Sequence, residues 1–161
     1  MNPVGIGQYS IVESPAELIV YGLGSCAALI VFDERTRKAG LAHILLPGTA
    51  PSESDGSDLP AKHADQAVRL LATELEGGDL RAVIVGGARL FQAESPIDRS
   101  VGSRNVESLK ESLSGWNIPI VWEETGGDFG RTVRFEVPQC TLRVRTLREG
   151  WVTVWQGSGA P

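Results

Sequence analysis

The spacing of apolar residues changes along this chain, and that change limits the folds open to it. In the first part they come in short unbroken runs: residues 18–21 (LIVY), 27–32 (AALIVF), 41–46 (LAHILL) and 81–85 (RAVIV). Such runs read as buried strands. Residues 5–12 and 118–122 add weaker strand signals. Ala64, Ala67, Val68, Leu71 and Leu75 fall at i, i+3, i+4, i+7 and i+11, one face of a helix over residues 62–76. Gly77 and Gly78 stop it. Val106, Leu109 and Leu113 mark a second helix, with Ser103 or Asn105 as its cap. Beyond residue 130 the period becomes two. Val133, Phe135 and Val137, then Leu142 and Val144, then Val152 and Val154, alternate with other residues. These are half-buried antiparallel strands. The pattern predicts an α+β domain: layered, largely antiparallel β-sheets with two principal helices on one side.

A chain of 161 residues suits one domain, expected over residues 1–155, with residues 156–161 as a disordered tail. Residues 49–60, rich in Ser, Asp, Gly and Pro, read as a surface loop. No apolar run approaches the roughly 20 residues that span a bilayer, and residues 1–9 have no secretory-signal pattern. A cytoplasmic protein without membrane insertion is expected. The net charge of −5, with scattered Lys and Arg, argues against a nucleic-acid partner. The two cysteines, Cys26 and Cys140, are then free thiols. Neither CxxC nor HxxxH spacing occurs, so no metal or cofactor is expected.

The sequence Gly22-Leu23-Gly24-Ser25-Cys26-Ala27 fits the GxGxxA pattern of dinucleotide-binding turns. That use requires a helix next, and residues 27–32 are too short and too apolar for one. The glycines instead let the chain bend sharply and leave Cys26 uncrowded. Backbone N–H groups of Gly24, Ser25 and Cys26 are candidates for an oxyanion hole. His43 follows 17 residues after Cys26, in an apolar segment. It reads either as a base for the thiol or as a core histidine satisfied by a backbone carbonyl. A hairpin centred on Thr36 and Arg37 puts His43 opposite Ile30. Cys26 then lies about 13 Å further along, at ~3.3 Å per residue. Spacing alone leaves both readings open.

Residues 22–48, GLGSCAALIVFDERTRKAGLAHILLPG, resemble the signature of the CheD family, in which a GLGSC turn carries a cysteine and an AH-(apolar)3-P segment a histidine. The likeness continues in order through residues 62–68 (KHADQAV), Gly86-Gly87-Ala88 with Phe91, Gly102-Ser103-Arg104-Asn105-Val106, and Thr125-Gly126-Gly127 with Arg131. The resemblance implies a fold similar to the catalytic domain of cytotoxic necrotizing factor. It implies a protein-glutamine deamidase that converts chemoreceptor glutamines to glutamates, with Cys26 as nucleophilic thiolate, His43 as its imidazolium partner and base, and no cofactor. It also implies methyl-accepting chemotaxis receptors as substrate and a CheC-type phosphatase as partner.

One position departs. The family threonine six residues before the cysteine is here Val20, which has no hydroxyl to orient an imidazole. A backbone carbonyl or the Ser25 hydroxyl is the expected substitute. The rival reading is a weakly active or non-catalytic module that binds CheC-type phosphatase or receptor helices. Gly86-Gly87 and Gly126-Gly127 are read as turns, Arg104 and Asn105 as braces, and Phe91 as an anchor or core residue. Trp151 and Trp155 are expected on one strand face, and Cys140 is read as structural.

Overall fold

The computed structural model describes residues 2–48, 59–76, 78–89, 100–137 and 139–157. Two five-stranded sheets stack face to face, and both helices cover the outer side of one of them. The outer sheet runs β1 (Asn2–Pro3), β3 (Ala16–Leu23), β8 (Arg131–Val137), β9 (Thr141–Arg145), β10 (Val152–Gln156). The central sheet runs β2 (Tyr9–Glu13), β5 (Lys38–Ile44), β4 (Ala27–Asp33), β6 (Arg81–Gly86), β7 (Ile120–Thr125). Pairing is antiparallel except for β1 with β3 and β6 with β7. The fold is thus the expected layered α+β arrangement. Among the described residues, no helix is long and apolar enough to cross a membrane.

The central sheet explains the unbroken apolar runs. Every residue of β4 is buried. Ala28, Ile30 and Phe32 face the outer sheet, packing with Leu18, Val20, Val133 and Phe135. Ala27, Leu29 and Val31 face α1 (Ala64–Glu74) and α2 (Val101–Gly115). A strand covered on both sides has no need of a polar face. The outer sheet is covered on one side only, so β8 and β9 alternate.

Four local expectations are corrected. The hairpin is centred on Arg35 and Thr36, not on Thr36 and Arg37: the Asp33 carboxylate accepts from the N–H groups of Arg35 and Thr36, and Arg37 takes a φ of 59°. This shifts the β4–β5 register so that His43 opposes Ala28 rather than Ile30. The cap of α2 is Ser100, whose hydroxyl accepts from the Ser103 N–H at 3.2 Å; neither Ser103 nor Asn105 caps it. Gly22 and Leu23 belong to β3, across a register shift after Val20, so the bend proper is Gly24–Ser25. A register shift between Thr153 and Trp155 separates the two tryptophans. Trp155 packs on Phe32 in the core, whereas Trp151 stacks on the outward guanidinium groups of Arg134 and Arg145. At the end of the domain, β10 includes Gln156, and the Gly157 N–H donates to the Cys140 carbonyl. Phe91 lies outside the described residues.

Phe32 is fully buried and touches Phe135 and Trp155, with ring centroids 5.2 and 5.3 Å away. Phe32→Ala should therefore lower the unfolding free energy by about 3–5 kcal/mol, read by urea denaturation.

Candidate active site

Cys26 stands one residue before β4, and extending the β4–β5 ladder by that residue sets it opposite Leu45. His43 opposes Ala28. Cys26 and Ala28 both line the space between the sheets, as do Ala39 and Leu41, which alternate in step with His43 on β5. Thiol and imidazole are therefore diagonal neighbours on one face, a separation of about 7–8 Å between Cα atoms that long side chains can bridge. The true register thus removes the distance that a hairpin centred on Thr36 and Arg37 would impose. The two groups form no hydrogen bond to each other among the described residues. Catalytic pairs are often loose before substrate binds.

The turn carrying Cys26 is held by its carbonyls. Gly24 O accepts from Ala88 N at 2.9 Å, Ser25 O from Asn105 Nδ2 at 2.9 Å, and Cys26 O from Gly87 N at 2.9 Å. A trans peptide points its N–H opposite to its carbonyl. The N–H groups of Ser25 and Cys26 are thus turned away from Ala88 and Asn105 respectively. The Cys26 N–H acts on its own sulfur, favouring the thiolate. Both N–H groups are thus directed away from the donors that anchor the turn. Gly24 N–H belongs to the same turn, but its carbonyl anchor does not orient it.

Three glycines permit this close packing. A Cβ on Gly86 would stand 2.6 Å from Cys26 O. One on Gly87 would stand 2.5 Å from the Val106 side chain, and one on Gly102 would strike the carbonyls of Gly87 and Ala88. Gly86 and Gly87 are more than turn residues, since they let the end of β6 lie against the nucleophile turn.

Asn105 is fully buried within α2 and braces both catalytic segments. Its Nδ2 donates to Ser25 O and, at 3.2 Å, to Leu45 O. Arg104 lies beside a cavity of about 230 Å³ with Pro47, Gly48, Glu107 and Ser108. Further support comes from Arg131, which donates to Gly126 O at 2.8 Å and stacks on Phe129. Gly126 N–H in turn donates to Gly86 O at 3.1 Å. Cys140 is almost fully buried on the far side of the core, its thiol pushed up to about 11 by burial and nearby carboxylates.

His43 is 5% exposed, and its Nδ1 lies 3.2 Å from Val4 O. A carbonyl only accepts, so Nδ1 carries the proton and Nε2 keeps its lone pair. Burial pushes the imidazole below its ordinary pKa, partly offset by this bond. Burial pushes the Cys26 thiol up, partly offset by its own N–H. Both shifts favour the neutral forms. Val20 is fully buried, and its position on β3 supplies no hydroxyl.

A family model described as CheD chemotactic sensory transduction matches residues 45–146. The chain is 40% identical over 157 residues to the chemoreceptor glutamine deamidase CheD of Bacillus subtilis, covering 94% of each chain. It is 38% identical over 157 residues to that of Bacillus velezensis, again covering 94% of each. With that of Halalkalibacterium halodurans it shares 37% over 153 residues, covering 91% of this chain and 94% of the relative. The chain belongs to the CheD family. The motifs that pointed to CheD from the sequence converge here. Residues 24–26 are tied to Gly87, Ala88 and Asn105, Gly86 to Gly126, and Gly126 to Arg131. Lys62 O accepts from the N–H groups of Leu45 and Leu46, just beyond His43.

Asn105→Ala would leave two part-buried carbonyls without their donor. It should cost about 1–3 kcal/mol of stability and slow alkylation of Cys26, measured by denaturation and by iodoacetamide labelling.

Proposed function

We propose that this chain is a protein-glutamine deamidase acting on chemoreceptor glutamines in the cytoplasm, with Cys26 as nucleophile and His43 as general base and acid. Carrying the reading is one observation: Cys26 and His43 share a face between the sheets, and the His43 Nδ1 lies 3.2 Å from the Val4 carbonyl, a contact that supports Nε2 as the base. The relatives named chemoreceptor glutamine deamidase support the substrate class.

A primary amide is a weak electrophile, and ammonia departs only when protonated. As the Cys26 sulfur attacks the glutamine side-chain carbonyl, Nε2 of His43 takes the thiol proton. The carbonyl oxygen becomes an oxyanion, received by the N–H groups of Ser25 and Cys26. His43 passes the proton to the amide nitrogen, the C–N bond breaks, and ammonia leaves a thioester. Water, losing a proton to His43, attacks the thioester. The C–S bond then breaks, His43 returns the proton to sulfur, and glutamate is released. No cofactor enters this sequence. A CheC-type phosphatase is the proposed regulatory partner.

A non-catalytic binding module remains a specific rival, favoured by the buried Val20 and by the raised thiol pKa. Cys26→Ala discriminates between the two. Ammonia release from receptor should fall by at least about 10³-fold, while binding to receptor persists. Undiminished release would remove Cys26 from the chemistry.

The pH profile follows from the directions of the two shifts. Protonated His43 cannot take the thiol proton, so kcat/KM rises with pH through a midpoint below about 6.5, the ordinary imidazole value. Once the thiol has ionised without an imidazolium beside it, no acid is left for ammonia. The descending limb therefore lies above about 8.5, the ordinary thiol value. A preformed ion pair would instead put the rising limb below about pH 4.5, and that result would sink the neutral-pair mechanism.

A further inference from the structure

We propose that the segment of residues 2–8 is the positioning element of His43, and that the Val4 carbonyl oxygen is the atom that fixes the ring for proton transfer. This rests on the reading of His43 as the base. The segment grips His43 at three points. Val4 O meets Nδ1 at 3.2 Å, Gly7 N–H donates to His43 O at 2.8 Å, and His43 N–H donates to Gln8 O at 3.0 Å. One side chain is thus held through its ring and through both of its backbone polar groups.

The segment is itself anchored. Pro3 pairs with Ile19 in the parallel β1–β3 ladder, and Val4 N–H donates to Ile19 O at 2.9 Å. Val4 is 5% exposed and packs in the inter-sheet core with Leu18, Val20 and Cys26. Ala61 N–H donates to Gly7 O at 2.8 Å. Gly7 has a φ of 75°, and a Cβ there would stand 2.8 Å from Leu59. Val4 follows the last pair of the ladder and shares the inter-sheet core with Val20, the position that offers no hydroxyl.

During attack on the amide, Nε2 gains the thiol proton and the ring becomes imidazolium. The bond from Nδ1–H to Val4 O is then charge-assisted, roughly twice as strong as a neutral one. The carbonyl holds the tautomer before the transfer and favours the imidazolium during it. Val4 acts through His43 and touches no substrate, so it is a positioning residue.

The test is a full-length protein in which the Val4–Gly5 amide is replaced by a backbone ester. An ester carbonyl is a weaker acceptor, and no side chain changes. The second variant, Val4→Pro, removes the N–H that anchors the segment on Ile19. Alkylation of Cys26 by iodoacetamide is followed against pH, together with kcat and KM for ammonia release. Alkylation and kcat should fall about fivefold or more at neutral pH, with KM within about twofold. The rising limb should move to lower pH, because the Val4 bond raises the His43 pKa. In a His43→Gln background the ester should have no further effect. Unchanged alkylation, kcat and pH limb in both variants would overturn the proposal. So would a slowing of equal size in the His43→Gln background, which would mark a purely structural role. Failure of the base assignment is separately visible: His43→Gln would then leave Cys26 alkylation unchanged, and the proposal would fall with it.

Discussion

Three successive carbonyls, those of Gly24, Ser25 and Cys26, are tied to Ala88, Asn105 and Gly87, and the site depends on those ties. Glycine at positions 22 and 24 makes the turn locally permissive, so its own sequence cannot make it rigid. Rigidity comes from donors on the segment after β6 and on α2. The same bonds that stiffen the turn direct the Ser25 and Cys26 N–H groups away from the scaffold, because each peptide is planar and trans. Gly86, Gly87 and Gly102 are required because backbone must approach backbone more closely than a Cβ allows. Support and chemistry are therefore one set of interactions.

Layering sets the electrostatics. Cys26 and His43 lie between two sheets, where removal of water disfavours thiolate and imidazolium alike. Cys140 is a useful contrast in the same chain. Burial, with Glu34 and Asp33 adding negative charge and Arg37 opposing them, carries its pKa to about 11. Cys26 instead has its own N–H favouring the anion. Burial is common to both thiols. Only at Cys26 does the residue's own N–H offset it.

What was legible in the sequence had a period or a run. β4, β5 and β6, the face of α1, and the alternation of β8 and β9 all follow from hydrophobic spacing. Side-chain bonds to backbone were less visible. The carboxylate of Asp33 closes a four-residue turn and resets the register that joins Cys26 to His43. Asn105 looked like a helix cap because polar residues are common there. It is instead the brace also expected of it, buried within the helix, and its partners Ser25 O and Leu45 O are set only by the fold. The register shift in β10 overrode the expectation that Trp151 and Trp155 share a face. β1 is two residues long and includes Pro3, so it left no strand signal.

The bland reading of His43 was a core histidine satisfied by a backbone carbonyl, and the structure does contain that bond. The bond is common to both readings. A buried imidazole has two ring nitrogens, and a purely structural one gains most when both are satisfied. Here the carbonyl occupies Nδ1, and among the described residues Nε2 has no hydrogen bond. That nitrogen belongs to a ring on the same face as a cysteine whose turn is built to expose N–H donors. With Val20 offering no hydroxyl, orientation passes from a side chain to the main chain. A side-chain substitution cannot delete a carbonyl, but its position depends on the docking of residues 2–8. In the proposed mechanism the orientation of His43 would depend on the packing of a short segment rather than on the identity of one side chain.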